Sequence, residues 1–212
     1  MDIRKILVSL GVVSAFLLAL PVVGAAQEIE VDNASSFSGT SGAFSLVTNG
    51  EPVFTEELTH ITGSFNSPTT GSFEVDVTGC HITILGSTLT CRTAGSPLNN
   101  TIRFGGTFHM ITINEKPAML LTITPFTISG PLYNPFEVKG AVIGTVTSPA
   151  CNGSSNVITV KFSGAGATQE HKLYTGVNYD LTMNTEGHSA SEASWTIELA
   201  LSSPTSMKLT CQ

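Results

Sequence analysis

Residues 72–78 read SFEVDVT, and this stretch decides the fold class because its apolar and polar side chains alternate strictly. A period of two is typical of a β-strand that has one face in the core and the other in water. We therefore expect Phe73, Val75 and Val77 to point inward and the residues between them to point outward. The same period recurs in residues 158–162, 177–183 and 195–201.

Further runs rich in Val, Ile, Thr and Phe follow one another along the chain, each broken by Gly, Pro, Asn or Ser. The run at 119–123 is almost continuously apolar, which predicts a central strand covered on both faces. Asn49-Gly50 predicts a hairpin turn. We count roughly twelve short strands and no long segment with the helical period. The expected fold is all-β, either an antiparallel β-sandwich or a flattened β-barrel.

Two stretches of the chain resemble each other. Residues 61–79 read ITGSFNSPTTGSFEVDVTG, and residues 142–164 read VIGTVTSPACNGSSNVITVKFSG. In both, the third residue is glycine, a Ser-Pro pair follows, and an alternating strand leads to a final glycine. We interpret this as a duplicated hairpin and predict one domain of two related halves, about 27–129 and 130–212. Chance similarity in a background rich in Thr, Ser and Gly is the alternative.

Residues 1–26 are expected to be a secretory signal peptide. Arg4 and Lys5 supply a positive start, an apolar run extends from residue 6 to residue 23, and small residues precede Gln27, as in signals that are cleaved. Cleavage is expected before Gln27, with a cut after Ala25 as one alternative and an uncleaved anchor as another. We therefore expect a single domain, 27–212, that is secreted or held in the cell envelope without a membrane span.

The four cysteines all lie beyond this signal and are expected to form two disulfides, as an even number in an exported chain usually does. Three connectivities exist, and we favour Cys80 with Cys91 and Cys151 with Cys211. Strand-like runs flank the short connection in the first pair, and the second pair would tie the last strand back to the second half. The spacing contains no CxxC, which argues against a zinc site or a redox pair.

The charge of the chain excludes one class of partner. The formal net charge is −7, and nine of the 212 residues are Lys or Arg. A nucleic-acid interface needs clustered basic residues, so we expect no nucleic acid partner. Arg92 and Arg103 are the two arginines that follow the signal, which makes anionic ligands poor candidates. The hydrophobic fraction of 41 % is ample for a core and argues against a disordered chain.

Catalytic, cofactor and metal motifs are not recognisable, and we expect none of these sites. The sequence lacks the GxSxG elbow of α/β-hydrolases. Glu74 and Asp76 share one face of a strand, but that face should be in water, where carboxylates keep ordinary pKa values. Glu56 and His60 would share an extended face at a separation of about 13 Å, which is too far for one metal ion.

The aromatic residues supply the candidate ligand contacts. The chain contains one Trp and three Tyr. Trp195 and Tyr179 lie inside alternating strands, so we expect them to pack in the core. Tyr133 and Tyr174 lie closer to loops and are the residues predicted to contact a ligand, with core packing as the alternative for both.

Several motifs resemble those of an uncharacterised family of secreted, β-rich bacterial proteins. They are GTSGAFSLVTNGEPVF at 39–54, VTGC ending at Cys80, KPAMLLT at 116–122, IGTVTSPAC at 143–151 and KLTC ending at Cys211. The resemblance covers most of the chain after the signal. It implies export, a strand-rich fold and a cysteine framework, and it carries no established activity.

The sequence therefore predicts an exported, non-catalytic structural, surface or binding module without a cofactor. Its ligand is not specified by any motif, and a protein partner, a glycan partner and self-association all fit the composition. The alternative is a small secreted enzyme or a small-molecule-binding barrel whose polar site is assembled from dispersed residues.

Overall fold

The computed structural model describes residues 28–48, 51–84, 87–94, 100–131, 134–185 and 189–211, and these residues form an all-β fold. The strands are β1 (Ile29–Asp32), β2 (Ser36–Ser41), β3 (Phe44–Thr48), β4 (Glu51–Glu56), β5 (Leu58–Phe65), β6 (Thr70–Thr78), β7 (His81–Ile84), β8 (Ser87–Thr90), β9 (Arg92–Thr93), β10 (Thr101–Ile113), β11 (Lys116–Ser129), β12 (Phe136–Ser148), β13 (Ser154–Phe162), β14 (Gly164–Ala165), β15 (Thr168–Gln169), β16 (Leu173–Tyr174), β17 (Val177–Asn178), β18 (Leu181–Thr185) and β19 (Ser191–Cys211).

Eight of these strands form a closed antiparallel barrel. In chain order they are β2, β5, β6, β10, β11, β12, β13 and β19, and each pairs with the next. The barrel closes because β19 also pairs with β2, through Ala200 with Thr40 and Ser202 with Ser38. Of the two predicted architectures, the structure is the barrel, which has no open sheet edge along its circumference.

Several of the remaining strands join the barrel along β19. One side of β19 pairs in turn with β3, β2 and β1, and the other side pairs with β18 and β13. Strand β18 also pairs with the start of β12, while β4, β7 and β8 continue outward from β3. This arrangement makes the long last strand the common partner of five others.

The barrel interior is filled by side chains from alternate positions of the strands, as the sequence predicts. Phe73, Val75 and Val77 are buried, and so are the alternate apolar residues of two further strands: Ile158, Val160, Phe162, Trp195, Ile197, Leu199 and Leu201. Eight strands give an interior just wide enough for side chains to fill. The core is therefore packed along most of its length.

Glycines on neighbouring strands make room for the largest rings. Phe37 lies across Gly63 and Phe108 lies across Gly71, each opposite its glycine in the strand register. The rings of Phe37, Phe65 and Phe108 contact one another edge to face, with centroids 4.9–5.8 Å apart. An aromatic ring over a cross-strand glycine restores the packing that the glycine lacks.

A second apolar cluster lies on the outer face of the barrel. It consists of Ile111, Ala118, Leu120, Ala141 and Ile143, and the segment of the hairpin β16–β17 brings the rings of Tyr174 and Tyr179 onto it. Inner and outer residues of β11 are thus both buried. The prediction that the run 119–123 is covered on both faces is therefore confirmed at Met119 to Leu121, whereas Thr122 is exposed on the outer face.

Both predicted disulfides are present. Cys80 bonds to Cys91, with Cα atoms 5.2 Å apart, and Cys151 bonds to Cys211, with Cα atoms 5.5 Å apart. The second bond joins the connection after β12 to the end of β19. Two disulfides indicate an oxidising, extracytoplasmic environment.

The strand pattern differs from expectation in its lengths. Strands β10, β11 and β12 have 13 or 14 residues and β19 has 21, so the prediction of short strands is wrong for these four. Residues that interrupt the sequence pattern can lie inside these strands. Pro125 is one of them: it lies in β11, and the register between β11 and β12 shifts there, between Ile123 and Phe126. A bulge tolerates the missing N–H of proline.

Two local predictions have different outcomes. The alternation expected over 177–183 is wrong at its start, because Val177 lies on the exposed hairpin β16–β17, whereas Leu181 and Met183 are buried. The turn at Asn49-Gly50 lies outside the described residues.

Within the described part of the chain, no helix has the length and apolar character needed to cross a membrane.

Candidate functional sites

The outer face of the barrel carries a row of hydroxyl side chains. The strand registers place one hydroxyl residue of each of five consecutive strands opposite the next. Their neighbours in sequence point into the core, so the row faces outward, and all five residues are exposed or half-exposed. The residues of this hydroxyl row are Ser36 of β2, Ser64 of β5, Ser72 of β6, Thr107 of β10 and Thr122 of β11.

Beside the hydroxyl row lies an open groove of about 620 Å³. Gly105 has no side chain at the position opposite Glu74, so the groove floor there is main chain. A Cβ atom at Gly105 would come within 2.7 Å of the carbonyl oxygen of Phe73, which explains why glycine stands there. The walls are formed mainly by hydroxyl side chains: Thr62, Ser64, Ser72, Thr107 and Thr124.

The groove is nearly uncharged. Glu74 is its one charged residue among those that line it. Asp76, the next outward residue of β6, is paired with Arg103, whose Nε and Nη2 donate to the carboxylate at 2.6 and 3.1 Å. Both carboxylates point to water, as predicted, and the arginine charge is neutralised. The groove therefore suits an uncharged, hydrogen-bonding ligand.

An aromatic group stands on the same face, near one end of the hydroxyl row. His109 follows Thr107 by two residues on the outward side of β10, about 7 Å further along the strand. Its ring lies edge-on to Tyr174 with centroids 6.4 Å apart, and its Nε2 is 3.1 Å from Oε1 of Glu28. Burial raises the pKa of Tyr174, and the Glu28 carboxylate adds to this effect.

Tyr174, predicted as a ligand contact, is half-buried, and it lies beside His109, on the side of the hydroxyl row away from Gly105 and Glu74. The ring centroids of Tyr174 and Tyr179 are 6.3 Å apart, and both rings pack against the outer apolar cluster. The hairpin that carries Tyr174 is held by Lys172, which donates to Glu192 at 2.6 Å. Tyr133 lies outside the described residues. Trp195 is 3 % exposed, which confirms its predicted place in the core.

A second candidate site lies inside the fold, around Glu56. This residue is 4 % exposed, and neither of its carboxylate oxygens has a hydrogen-bond partner among the described residues. Burial raises its pKa from 4.5 to about 8, because a low-dielectric environment disfavours the charged form. The cavity that it shares is lined by Phe44, Leu46, Phe54, Ile102, Phe104, Phe126, Ile128 and Trp195.

The sequence reasoning missed Glu56 as a buried residue and placed it on one face with His60. That placement is wrong, because the chain leaves β4 after Glu56 and begins β5 at Leu58, and His60 is exposed. The signal that could have revealed the burial of Glu56 was its spacing from Phe54. Residues two apart on one strand share a face, and Phe54 is buried.

Metal chemistry has no support in the described residues, where no three His, Cys, Asp or Glu side chains form a group that could hold an ion. His81, which follows Cys80, has a local hydrogen-bond partner, because its Nδ1 lies 2.7 Å from the carbonyl oxygen of Gly79. Comparison of the chain with protein-family models, curated proteins and solved structures found no match.

Proposed function

We propose that the protein is an exported, non-catalytic binding module that holds an uncharged, polyhydroxylated polymer, such as a neutral glycan, on the outer face of its barrel. The observation that carries this proposal is the hydroxyl row across β2, β5, β6, β10 and β11. Its side chains repeat at the strand spacing of about 4.8 Å. A polymer with hydroxyl groups at regular intervals can exchange hydrogen bonds with such a row, since each Ser or Thr both donates and accepts.

The surroundings of the row support a neutral ligand over a charged one. Arg103 is engaged by Asp76, and the chain has a net charge of −7. An anionic polymer would be repelled by this charge. Tyr174, which lies against His109 next to the hydroxyl row, offers an amphipathic ring of the kind that packs against apolar faces while its hydroxyl remains wet.

The interior is a poor place for a ligand of this size. In the cavity beside Glu56, the volume that the centre of a water molecule can occupy is about 10 Å³. This volume is at the lower limit for holding one water. The outer groove is about 620 Å³ and open. A polymer therefore fits the outside of the barrel.

Export is part of the same proposal. Residues 1–26 have the composition of a signal peptide, and cleavage before Gln27 would release the chain that forms the barrel. The two disulfides support a destination outside the cytoplasm, and the resemblance to secreted bacterial proteins agrees with it. We place the mature protein in the medium or the cell envelope, where neutral polysaccharides are accessible.

A duplication of the barrel is also part of the proposal, and the topology supports it. The first four barrel strands are β2, β5, β6 and β10, and the last four are β11, β12, β13 and β19. A rotation by four strands brings β5–β6 onto β12–β13, the two hairpins whose sequences resemble each other. In this arrangement the halves meet at the turn of Asn114 and Glu115, earlier in the chain than residues 129–130.

The experiment is a sedimentation assay with insoluble cellulose, chitin and β-1,3-glucan. The oxidised protein is expected to bind at least one polymer, and heparin immobilised on beads serves as the anionic comparison. Thr107→Lys places a long charged side chain in the middle of the hydroxyl row and is expected to lower the bound fraction at least tenfold. Thr196→Lys is the matched control, because Thr196 is exposed on β19 and does not line the groove.

The outcomes separate clearly. Loss of binding with Thr107→Lys and retention with Thr196→Lys supports the proposed face. Equal binding by all three proteins places the ligand elsewhere, and failure of the wild-type protein to bind any neutral polymer overturns the proposal.

A further inference from the structure

We infer that the cavity around Glu56 is a binding site for a small monovalent cation of the ammonium type. The site is distinct from the outer groove and does not depend on the function proposed for it. Glu56 lines the cavity, is almost completely buried, and has no hydrogen-bond partner for its carboxyl oxygens among the described residues. Buried polar groups in native proteins are nearly always paired, so an unpaired one calls for a partner.

The lining limits what that partner can be. Apart from Glu56, all the residues that line the cavity are apolar. An anion would meet a carboxyl group, and an apolar ligand would leave it unpaired. A divalent cation needs six or more oxygen ligands in the case of calcium, and the lining supplies one carboxyl side chain. These three classes are therefore poor matches.

Water and ammonium are close in size, and the aromatic residues distinguish between them. A buried water usually makes about three hydrogen bonds, but a single carboxyl group can satisfy only part of this need. An ammonium ion has only donors, and it can direct them at the carboxylate and at aromatic faces, which attract cations. The cavity has room for the centre of about one water-sized molecule, so it matches the ion in volume.

Four aromatic residues line the cavity together with Glu56 and contact one another. Trp195 lies 5.3 Å from Phe44 and 5.3 Å from Phe104, measured between ring centroids, and Phe104 stacks on Phe126 at 4.7 Å. All four rings line the same cavity as Glu56. A cation there would sit against ring faces with its charge balanced by the carboxylate. Since Glu56 must be ionised to balance it, binding near neutral pH releases one proton to solvent.

The test uses the single tryptophan of the chain as a reporter within the site, since Trp195 is the one Trp in the sequence. The melting temperature and the Trp195 emission of the oxidised protein are measured in ammonium, methylammonium, tetramethylammonium and sodium chlorides at equal ionic strength, at pH 8. The same series is run on Glu56→Gln and on Glu57→Gln, which removes the neighbouring, exposed carboxylate.

We expect ammonium to raise the melting temperature of the wild-type and Glu57→Gln proteins above its value in sodium. Above the dissociation constant, the rise should be roughly 3–5 °C for each tenfold increase in concentration. Glu56→Gln should show no difference between the salts. A response to ammonium but not to the larger methylammonium and tetramethylammonium ions assigns the free ion, because the cavity has room for about one water-sized molecule.

Two results would overturn the inference. One is an identical response of the wild-type protein to all four salts, which would mean that the cavity selects no cation. The other is an ammonium effect that persists in Glu56→Gln, which would place the bound ion elsewhere.

Discussion

The ring of Phe108 lies directly over Gly71, its partner in the register between β10 and β6. A Cβ atom at Gly71 would collide with this ring and with the main-chain oxygen of Ser64 on the other neighbouring strand. The main chain cannot move aside without disturbing two strand pairings at once. The glycine therefore allows the three phenylalanine rings of this cluster to pack together. It also allows the main chains of the neighbouring strands to approach closely at this point.

Gly71→Ala should destabilise the protein by about 2–3 kcal/mol, as overpacking of a filled core does. Urea unfolding followed by Trp195 fluorescence measures this change. Gly42→Ala is the matched control, because an added Cβ atom there would meet nothing within 4 Å. We expect it to be neutral or to stabilise the protein slightly. A Gly71→Ala protein as stable as Gly42→Ala would contradict the packing described for the barrel interior.

Glu56 should make the stability of the protein fall as the pH rises. Its pKa is about 8 in the folded state and near 4.5 when unfolded, so the folded state binds the extra proton between these values. Stability should fall by up to about 1.4 kcal/mol for each pH unit across this window, and the loss should level off above pH 8. Urea unfolding of wild type and Glu56→Gln from pH 4 to pH 9 tests this.

The difference in unfolding free energy between the two proteins should change by roughly 5 kcal/mol in favour of Glu56→Gln over that pH range. Glu57→Gln, which alters an exposed carboxylate, should follow the wild-type profile. Parallel profiles for wild type and Glu56→Gln would mean that the Glu56 carboxyl group is solvated or paired.

The two disulfides should differ in their contributions to stability because they close loops of different length. The Cys151–Cys211 bond spans 60 residues and the Cys80–Cys91 bond spans 11. From loop entropy, the disulfide of the long loop should add about 4 kcal/mol to the free energy of unfolding, and that of the short loop about 3 kcal/mol. Thermal unfolding of the two double Cys→Ala variants measures both. A larger loss from the short loop would show that loop closure does not determine the order.

Tyr174 should contribute to stability as well as to the proposed binding face, since its ring covers part of the outer apolar cluster. Tyr174→Ala is expected to cost about 1–2 kcal/mol from lost apolar burial. Leu173→Ala on the same hairpin removes a side chain that is 60 % exposed, and it should cost less than about 0.5 kcal/mol. Equal losses in urea unfolding would mean that the hairpin does not pack on the barrel.

Local patterns were sufficient to predict where strands lie, but not their full lengths or the way they close. The alternation in 72–78 and the apolar run at 119–123 each depend on near neighbours; the first was interpreted correctly, and so was the second except at the exposed Thr122. Closure depends on β19 pairing with β2, which joins Ala200 to Thr40, and no pattern within either strand specifies this partner. Of three possible connectivities of the cysteines, we favour one because strand-like runs flank Cys80 and Cys91 and because Cys211 lies at the end of the last strand, and the structure confirms it.

The candidate sites depend on the same non-local pairing. The hydroxyl row exists because Ser64, Ser72 and Thr107 fall opposite one another, and a shift of one residue in any register would turn one of them inward. Serine and threonine are common throughout the chain, so their positions alone do not identify the row. Glu56 was harder to predict, because a charged residue on an apolar strand face is rare unless it is paired.

The most direct test of the proposed binding face is an NMR titration of the isotope-labelled, oxidised protein with hexasaccharide fragments of cellulose, chitin and β-1,3-glucan. We expect the amide shifts to concentrate on the outer strands around Ser72, Thr107 and Thr122, while the indole N–H signal of Trp195 inside the core stays unchanged. Shifts centred on Trp195 and its neighbours would instead place the ligand inside the barrel, and an absence of shifts would contradict glycan binding altogether.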